Sequence, residues 1–92
     1  MRGHGDGITD GQETQAVNFI DQAIQRFSSD IYSQAVFVQQ QIEDAFSGRW
    51  NVEVFQGDPA WGRATYIDND QWIVIFGYGD DYLDYIIWAP RC

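Results

Sequence analysis

The apolar period of this chain changes once, at Gly48-Arg49-Trp50, and does not change back. Before that point Ile31, Ala35, Val38, Ile42, Ala45 and Phe46 recur at the spacing that places side chains on one face of a helix. After it Trp50, Val52 and Val54 alternate with Asn51, Glu53 and Phe55, as a strand requires. Helices followed by a run of strands predict an α+β domain rather than alternating βαβ units.

Residues 1–10, with Gly3, Gly5 and Gly7, are expected to form a flexible N-terminal arm, and residues 11–92 the folded domain. Asp10 is the expected cap of a first helix, with Glu13 completing a capping box. Its apolar stripe is Ala16, Ile20, Ala23, Ile24 and Phe27. Ser28-Ser29-Asp30 offers caps for a second helix that runs to about Phe46 and stops at Gly48. Four strands are then expected, at Trp50–Gln56, Arg63–Ile67, Gln71–Tyr78 and Tyr82–Trp88, separated by turns rich in Gly, Asp and Asn.

The last two strands do not alternate. Trp72-Ile73-Val74-Ile75-Phe76 and Tyr85-Ile86-Ile87-Trp88 are apolar on both faces. A sheet with one wet face would carry polar residues at every second position there. Two helices cover one face of such a sheet, so a second chain is expected over the other, as an obligate or near-obligate dimer; the alternative is a monomer with an exposed apolar docking face.

Composition narrows the function classes. The chain has 92 residues, 14 acidic and 5 basic, and a net charge of −9. Nucleic acid and anionic membranes are poor partners for such a surface. The single cysteine, Cys92, cannot form an internal disulfide, and no signal-peptide pattern or long apolar run is present, so a soluble cytoplasmic protein is expected. His4 is the only histidine and falls in the expected arm, which argues against a catalytic dyad or a His-based metal site. Asp68-Asn69-Asp70 and Asp80-Asp81 lack the alternating oxygen ligands, central Gly and terminal Glu of a calcium loop and read as solvated turns. No phosphate-binding or dinucleotide fingerprint occurs, and Gly77-Tyr78-Gly79 reads as a strand end. The expectation is a non-enzyme without cofactor or metal.

The run Phe37-Val38-Gln39-Gln40-Gln41-Ile42-Glu43-Asp44-Ala45-Phe46-Ser47-Gly48-Arg49-Trp50 resembles, without a gap, a pattern of the small dynein light chain family of the motif-binding hub type, as distinct from the roadblock and Tctex types. Val52-Glu53-Val54 resembles that family's first sheet strand, Trp61-Gly62 its Phe-Gly step after a short insertion, and Trp72–Phe76 its aromatic-rich strand. The likeness covers about residues 11–89. It implies two helices on an antiparallel sheet of four or five strands, and a homodimer in which Arg63–Ile67 crosses to the partner's sheet. It also implies grooves that take extended peptides by strand addition, two per dimer, so that two copies of a disordered chain are held together. The peptide-binding residues implied are Trp61, Gly62, Arg63, Ala64, Thr65, Tyr66, Ile67 and Phe76. The dimer interface implied is Asn51, Val52, Arg63, Thr65, Ile67 and Trp88. The partners implied are a dynein intermediate or heavy chain, in the cytoplasm, cytoskeleton or axoneme.

The chain departs from the family where ligand is held. Ile31 and Tyr32 stand where the family has a Glu-Lys pair, and Asn51 replaces the histidine that makes the family's dimer pH-sensitive. These departures point away from the usual glutamine-centred ligand and toward a specialised axonemal or parasite-specific member with one fixed partner. Bland readings stand beside the functional ones: Arg63 answers either a ligand carboxylate or Asp68, Trp61 walls the groove or packs under its loop, and Gly62 serves close approach or a turn. The rival function is a constitutive assembly subunit, paired with a different light chain and lacking a free groove.

Overall fold

The computed structural model describes residues 2–56, 71–79 and 82–89. Its elements are β1 (Arg2–His4), α1 (Asp10–Arg26), α2 (Ile31–Phe46), β2 (Asn51–Gln56), β3 (Trp72–Tyr78) and β4 (Leu83–Trp88). The class is α+β: two helices pack on a four-stranded antiparallel sheet of order β1-β3-β4-β2. β1 and β2 lie at opposite ends of that order, so the two helices carry the chain from one edge of the sheet to the other. The expected strand Arg63–Ile67 lies outside the described residues.

The two strands that failed to alternate, β3 and β4, are the central pair. Ile73, Ile75, Leu83, Tyr85 and Ile87 face the helices and join Ala16, Val17, Ile20 and Ala23 of α1 and Val38 and Ile42 of α2 in one core. Val74 and Ile86 pair with each other between those positions, so they point to the opposite face, yet each is only 4% exposed within the single chain. On that face the Trp72–Trp88 cross-strand pair lies beside them, and Trp88 Nε1 donates to Glu53 Oε2 of β2 at 3.2 Å. At the far end the register slips between Ile75 and Tyr78. Gly77 takes φ +64° there, and its N–H donates to the buried Asp84 carboxylate at 2.7 Å. The bulge therefore has its own acceptor.

Three expectations are corrected. First, part of the N-terminal arm is a strand: Arg2, Gly3 and His4 pair with Ile75, Val74 and Ile73. Gly5 extends the pairing, its N–H donating to the Trp72 carbonyl at 2.9 Å, and Ile8 is buried in the core. The local sequence is rich in Gly and reads as a tail, but the neighbouring apolar strand supplies the pairing and a single isoleucine supplies the anchor. Second, α1 is capped one residue earlier than expected. Thr9 Oγ1 accepts from the Gln12 N–H at 3.1 Å, and Gln12 Oε1 accepts from the Thr9 N–H at 2.9 Å. Asp10 thus falls in the first turn, where its charge suits the helix dipole. Third, the buried row of α2 is Gln34, Val38 and Ile42, whereas Ala45 is exposed. The row keeps perfect four-residue spacing, but its first member is polar.

Gln34 is fully buried because its amide is satisfied on both sides. Its Nε2 donates to the Phe27 carbonyl at 2.7 Å, and its Oε1 accepts from the Tyr85 hydroxyl at 2.5 Å. Burial pushes the Tyr85 phenol well above its ordinary range, so it remains a donor. A second link between layers runs from the Tyr78 hydroxyl of β3 to Asp21 of α1 at 2.5 Å. This bond, with some burial, also raises the Tyr78 phenol.

α2 begins at an Asp30 cap, which accepts from the Ser33 N–H at 3.0 Å and from its hydroxyl at 2.7 Å. These bonds from Ser33 hold the Asp30 carboxyl below its usual range. The helix ends at Ser47 and Gly48, both in the left-handed region with φ +66° and +81°. Glycine takes such a φ without strain, whereas Ser47 takes it with an extended ψ of 158°; together they make the period switch of the sequence abrupt.

His4 closes β1 onto the start of α1. Its Nδ1 lies 3.0 Å from the Gly5 carbonyl oxygen and its Nε2 lies 2.9 Å from Asp10 Oδ1. Both ring nitrogens face acceptors, and only the imidazolium donates from both. The Gly5 carbonyl and then the Asp10 carboxylate raise the His4 pKa. Since the folded value lies above the unfolded one, this contribution is fully present below the ordinary histidine value of about 6.5 and is lost as pH rises through the raised value.

Two outcomes are expected. Tyr85→Phe and Gln34→Leu each cost about 1–3 kcal/mol by leaving a buried polar group unpaired, and the double substitution costs less than their sum, measured by urea unfolding. Additive losses would mean that the two side chains are not coupled. The hydrogen-exchange protection factor of the Gly5 amide is higher at pH 5.5–6, a range of about one unit below the ordinary histidine value, than at pH 8 or so. His4→Asn should flatten that dependence.

Candidate protein-binding surface

The junction between α2 and β2 is built around Trp50. Its ring is buried and packs edge-on against Phe46, with centroids 5.6 Å apart. Its backbone is held by side chains of α2 rather than by the sheet. Glu43 Oε2 accepts from the Trp50 N–H at 3.0 Å, and Gln39 Nε2 donates to the Trp50 carbonyl at 2.9 Å. The indole Nε1 donates to the Ser47 carbonyl at 3.0 Å. Glu43 and Gln39 stand four residues apart on one helix face, so α2 grips the two peptide units that flank Trp50, one through its N–H and the other through its C=O. Their spacing was visible in the sequence, but nothing there showed that they aim at a backbone.

This grip fixes where β2 starts. From Asn51 to Gln56 six consecutive residues pair in register with Trp88 to Leu83. β2 is the terminal strand in the sheet order, and α2 runs alongside it. An open polar cleft lined by Gln39, Glu43, Arg49, Trp50 and Asn51 marks the corner between them.

The residues singled out from the sequence fall into three groups. Trp61, Gly62, Arg63, Ala64, Thr65, Tyr66 and Ile67 lie outside the described residues. Asn51, Val52 and Trp88 come together: Asn51 is directly opposite Trp88, and Val52 is opposite Ile87. Phe76 does not join them. It sits half-buried four residues along β3 from Trp72, about 13 Å away at strand rise, near the bulge. Phe76 was implied in the peptide site and the other three in the dimer interface, and the remaining residues of both lie outside the described residues.

Among the described residues no group of three or more His, Cys, Asp or Glu side chains is placed to hold a metal ion. No helix of the structure is long and apolar enough to cross a membrane. The described carboxylates with named partners serve the fold: Asp10 pairs with His4, Asp21 with Tyr78, Asp30 caps α2, Glu43 holds Trp50, and Asp84 holds the bulge. Protein-family models give no match to this chain, and none of the curated proteins compared with it is significantly similar.

Proposed function

We propose that this chain is a non-catalytic, dimerising adaptor of the small dynein light chain type. It binds an extended segment of a dynein intermediate or heavy chain, or of another scaffold, by strand addition. The observation that carries the reading is the placement of β2. Among the described residues it is last in the sheet order, registered over six pairs against a central strand and flanked by α2, and it leads directly into the segment implied to receive the peptide. Recognition by strand addition draws affinity from backbone hydrogen bonds and selectivity from side-chain pockets. The edge implied to receive the peptide is Arg63–Ile67, in the segment that follows β2, with Trp61 and Gly62 at its start. In this reading Asn51, Val52 and Trp88 form the interface between protomers, and the crossed strand belongs to the partner's sheet.

Sequence support comes from the run ending at Trp50, whose Val38 and Ile42 are core residues and whose Phe46 and Trp50 pack together. A specific feature favours the rival reading, a constitutive subunit paired with a different light chain. The sheet face turned away from the helices carries Trp72, Phe76 and Trp88 beside the buried Val74 and Ile86. In the rival reading the half-buried Trp88 at the end of β4 would meet the other light chain in a permanent contact.

Substitution separates a peptide edge from a permanent contact. Thr65→Lys and Gly62→Pro are each expected to weaken binding of a dynein intermediate-chain segment by about tenfold or more, the equivalent of one lost charge-assisted or two lost neutral hydrogen bonds, read by calorimetric titration. Unchanged binding in both variants would refute the edge assignment.

A further inference from the structure

A second surface, away from β2, has a chemistry of its own. No residue from Ile31 to Ile42 carries a charge, in a chain where charged residues make up 21%. The buried row Gln34, Val38 and Ile42 uses one side of that helix. On the opposite side, where Tyr32, Val36 and Gln40 recur every fourth residue, Tyr32 is 77% exposed. Phe27, Tyr32, Ser33, Val36, Phe37 and Gln40 line an open groove of about 250 Å³ there. That volume falls below the ≈300–1,000 Å³ of a small-molecule pocket and suits an anchoring side chain of a peptide.

Arg26 says which kind of peptide. Its guanidinium lies 5.2 Å from the centroid of the Phe37 ring, on the flank of the groove. Arg26 is exposed, and a guanidinium beside an aromatic ring keeps N–H donors that can pair with a carboxylate. The His4–Asp10 contact is the one ion pair among the described residues, so no described carboxylate occupies Arg26. The nearest acidic residue in sequence, Asp30, has its carboxylate committed to Ser33. Distant acidic residues of the chain are screened beyond a Debye length of about 8 Å at physiological ionic strength.

We infer that this groove is a docking site for an acidic peptide segment of a partner protein, which inserts an apolar side chain between Phe27 and Val36 and sets a neighbouring carboxylate on Arg26. The site goes beyond strand addition at the sheet edge and does not depend on it. A basic segment, which the overall charge would attract elsewhere on the surface, meets Arg26 here and is disfavoured.

The test is a nuclear magnetic resonance titration of the full ¹⁵N-labelled chain with two capped peptides, acetyl-Glu-Leu-Phe-Glu-amide and its analogue with Lys for both Glu. The acidic peptide should give saturable shifts at the Ser33, Val36, Phe37 and Gln40 amides and at Arg26 Nε. Arg26→Gln should weaken it about two- to fivefold, the range of an exposed ion pair. Val36→Asp should abolish the shifts, and the Lys peptide should bind more weakly at these positions. The inference is overturned if the Lys peptide binds the groove as well, if Arg26→Gln changes nothing, or if no shift occurs at millimolar peptide. It is also overturned if the groove amides move with protein concentration alone, which would place a second copy there. Shifts confined to β2 would overturn this site and leave strand addition standing.

Discussion

The buried amide of Gln34 is the interaction on which the arrangement of layers depends. It lies at the head of the α2 row that enters the core, and it joins three parts of the chain. Through Nε2 it holds the end of α1 at Phe27, and through Oε1 it holds the central strand at Tyr85. Val38 and Ile42 continue the same row as ordinary apolar contacts. With α2 fixed over β4, Gln39 and Glu43 are in position to hold the backbone of Trp50 on both sides, and β2 starts from that point. A polar residue was retained where an apolar one would bury more surface. The gain is direction: an amide specifies one partner geometry, whereas leucine at the same position would tolerate a rotation or slide of the helix.

Much of this architecture was legible in the sequence. The helical period to Phe46, the left-handed stop at Ser47 and Gly48, and the alternation after Trp50 fixed the fold class and most boundaries. The absence of alternation in Trp72–Phe76 and Tyr85–Trp88 was read as a face awaiting a second chain, whereas Val74 and Ile86 on that face are only 4% exposed within one chain. Three features were not legible, each for a long-range reason. Gln34 looks like a surface residue until Tyr85, fifty-one positions away, supplies its partner. Arg2–His4 reads as tail because its strand character comes entirely from pairing with β3. The Trp50 grip uses side chains whose targets are backbone atoms, which no composition or periodicity reveals. Of the implied dimer interface, Asn51 and Trp88 face each other across β2 and β4, with Val52 next along, and most of the implied peptide site lies outside the described residues.

These features divide the surface by chemistry. The corner between β2 and α2 is a polar cleft lined by Gln39, Glu43, Arg49, Trp50 and Asn51. The outer side of α2 presents aromatic rings, an uncharged helix face and one stacked arginine. The sheet face away from the helices is apolar and largely closed within one chain, with Val74 and Ile86 nearly inaccessible. Its rim of half-buried tryptophans is where a second protomer would add contact. Under the proposed reading such a division would serve an adaptor whose affinity comes from avidity, since two weak sites on one dimer bind a divalent partner far more tightly than either alone.

Dimerisation is the claim on which that account rests most heavily, and multi-angle light scattering of the purified chain tests it directly. The account predicts a mass of two chains, maintained on dilution through the micromolar range. A mass of one chain across that range would contradict it, because neither an exchanged strand nor a bivalent adaptor is possible in a monomer.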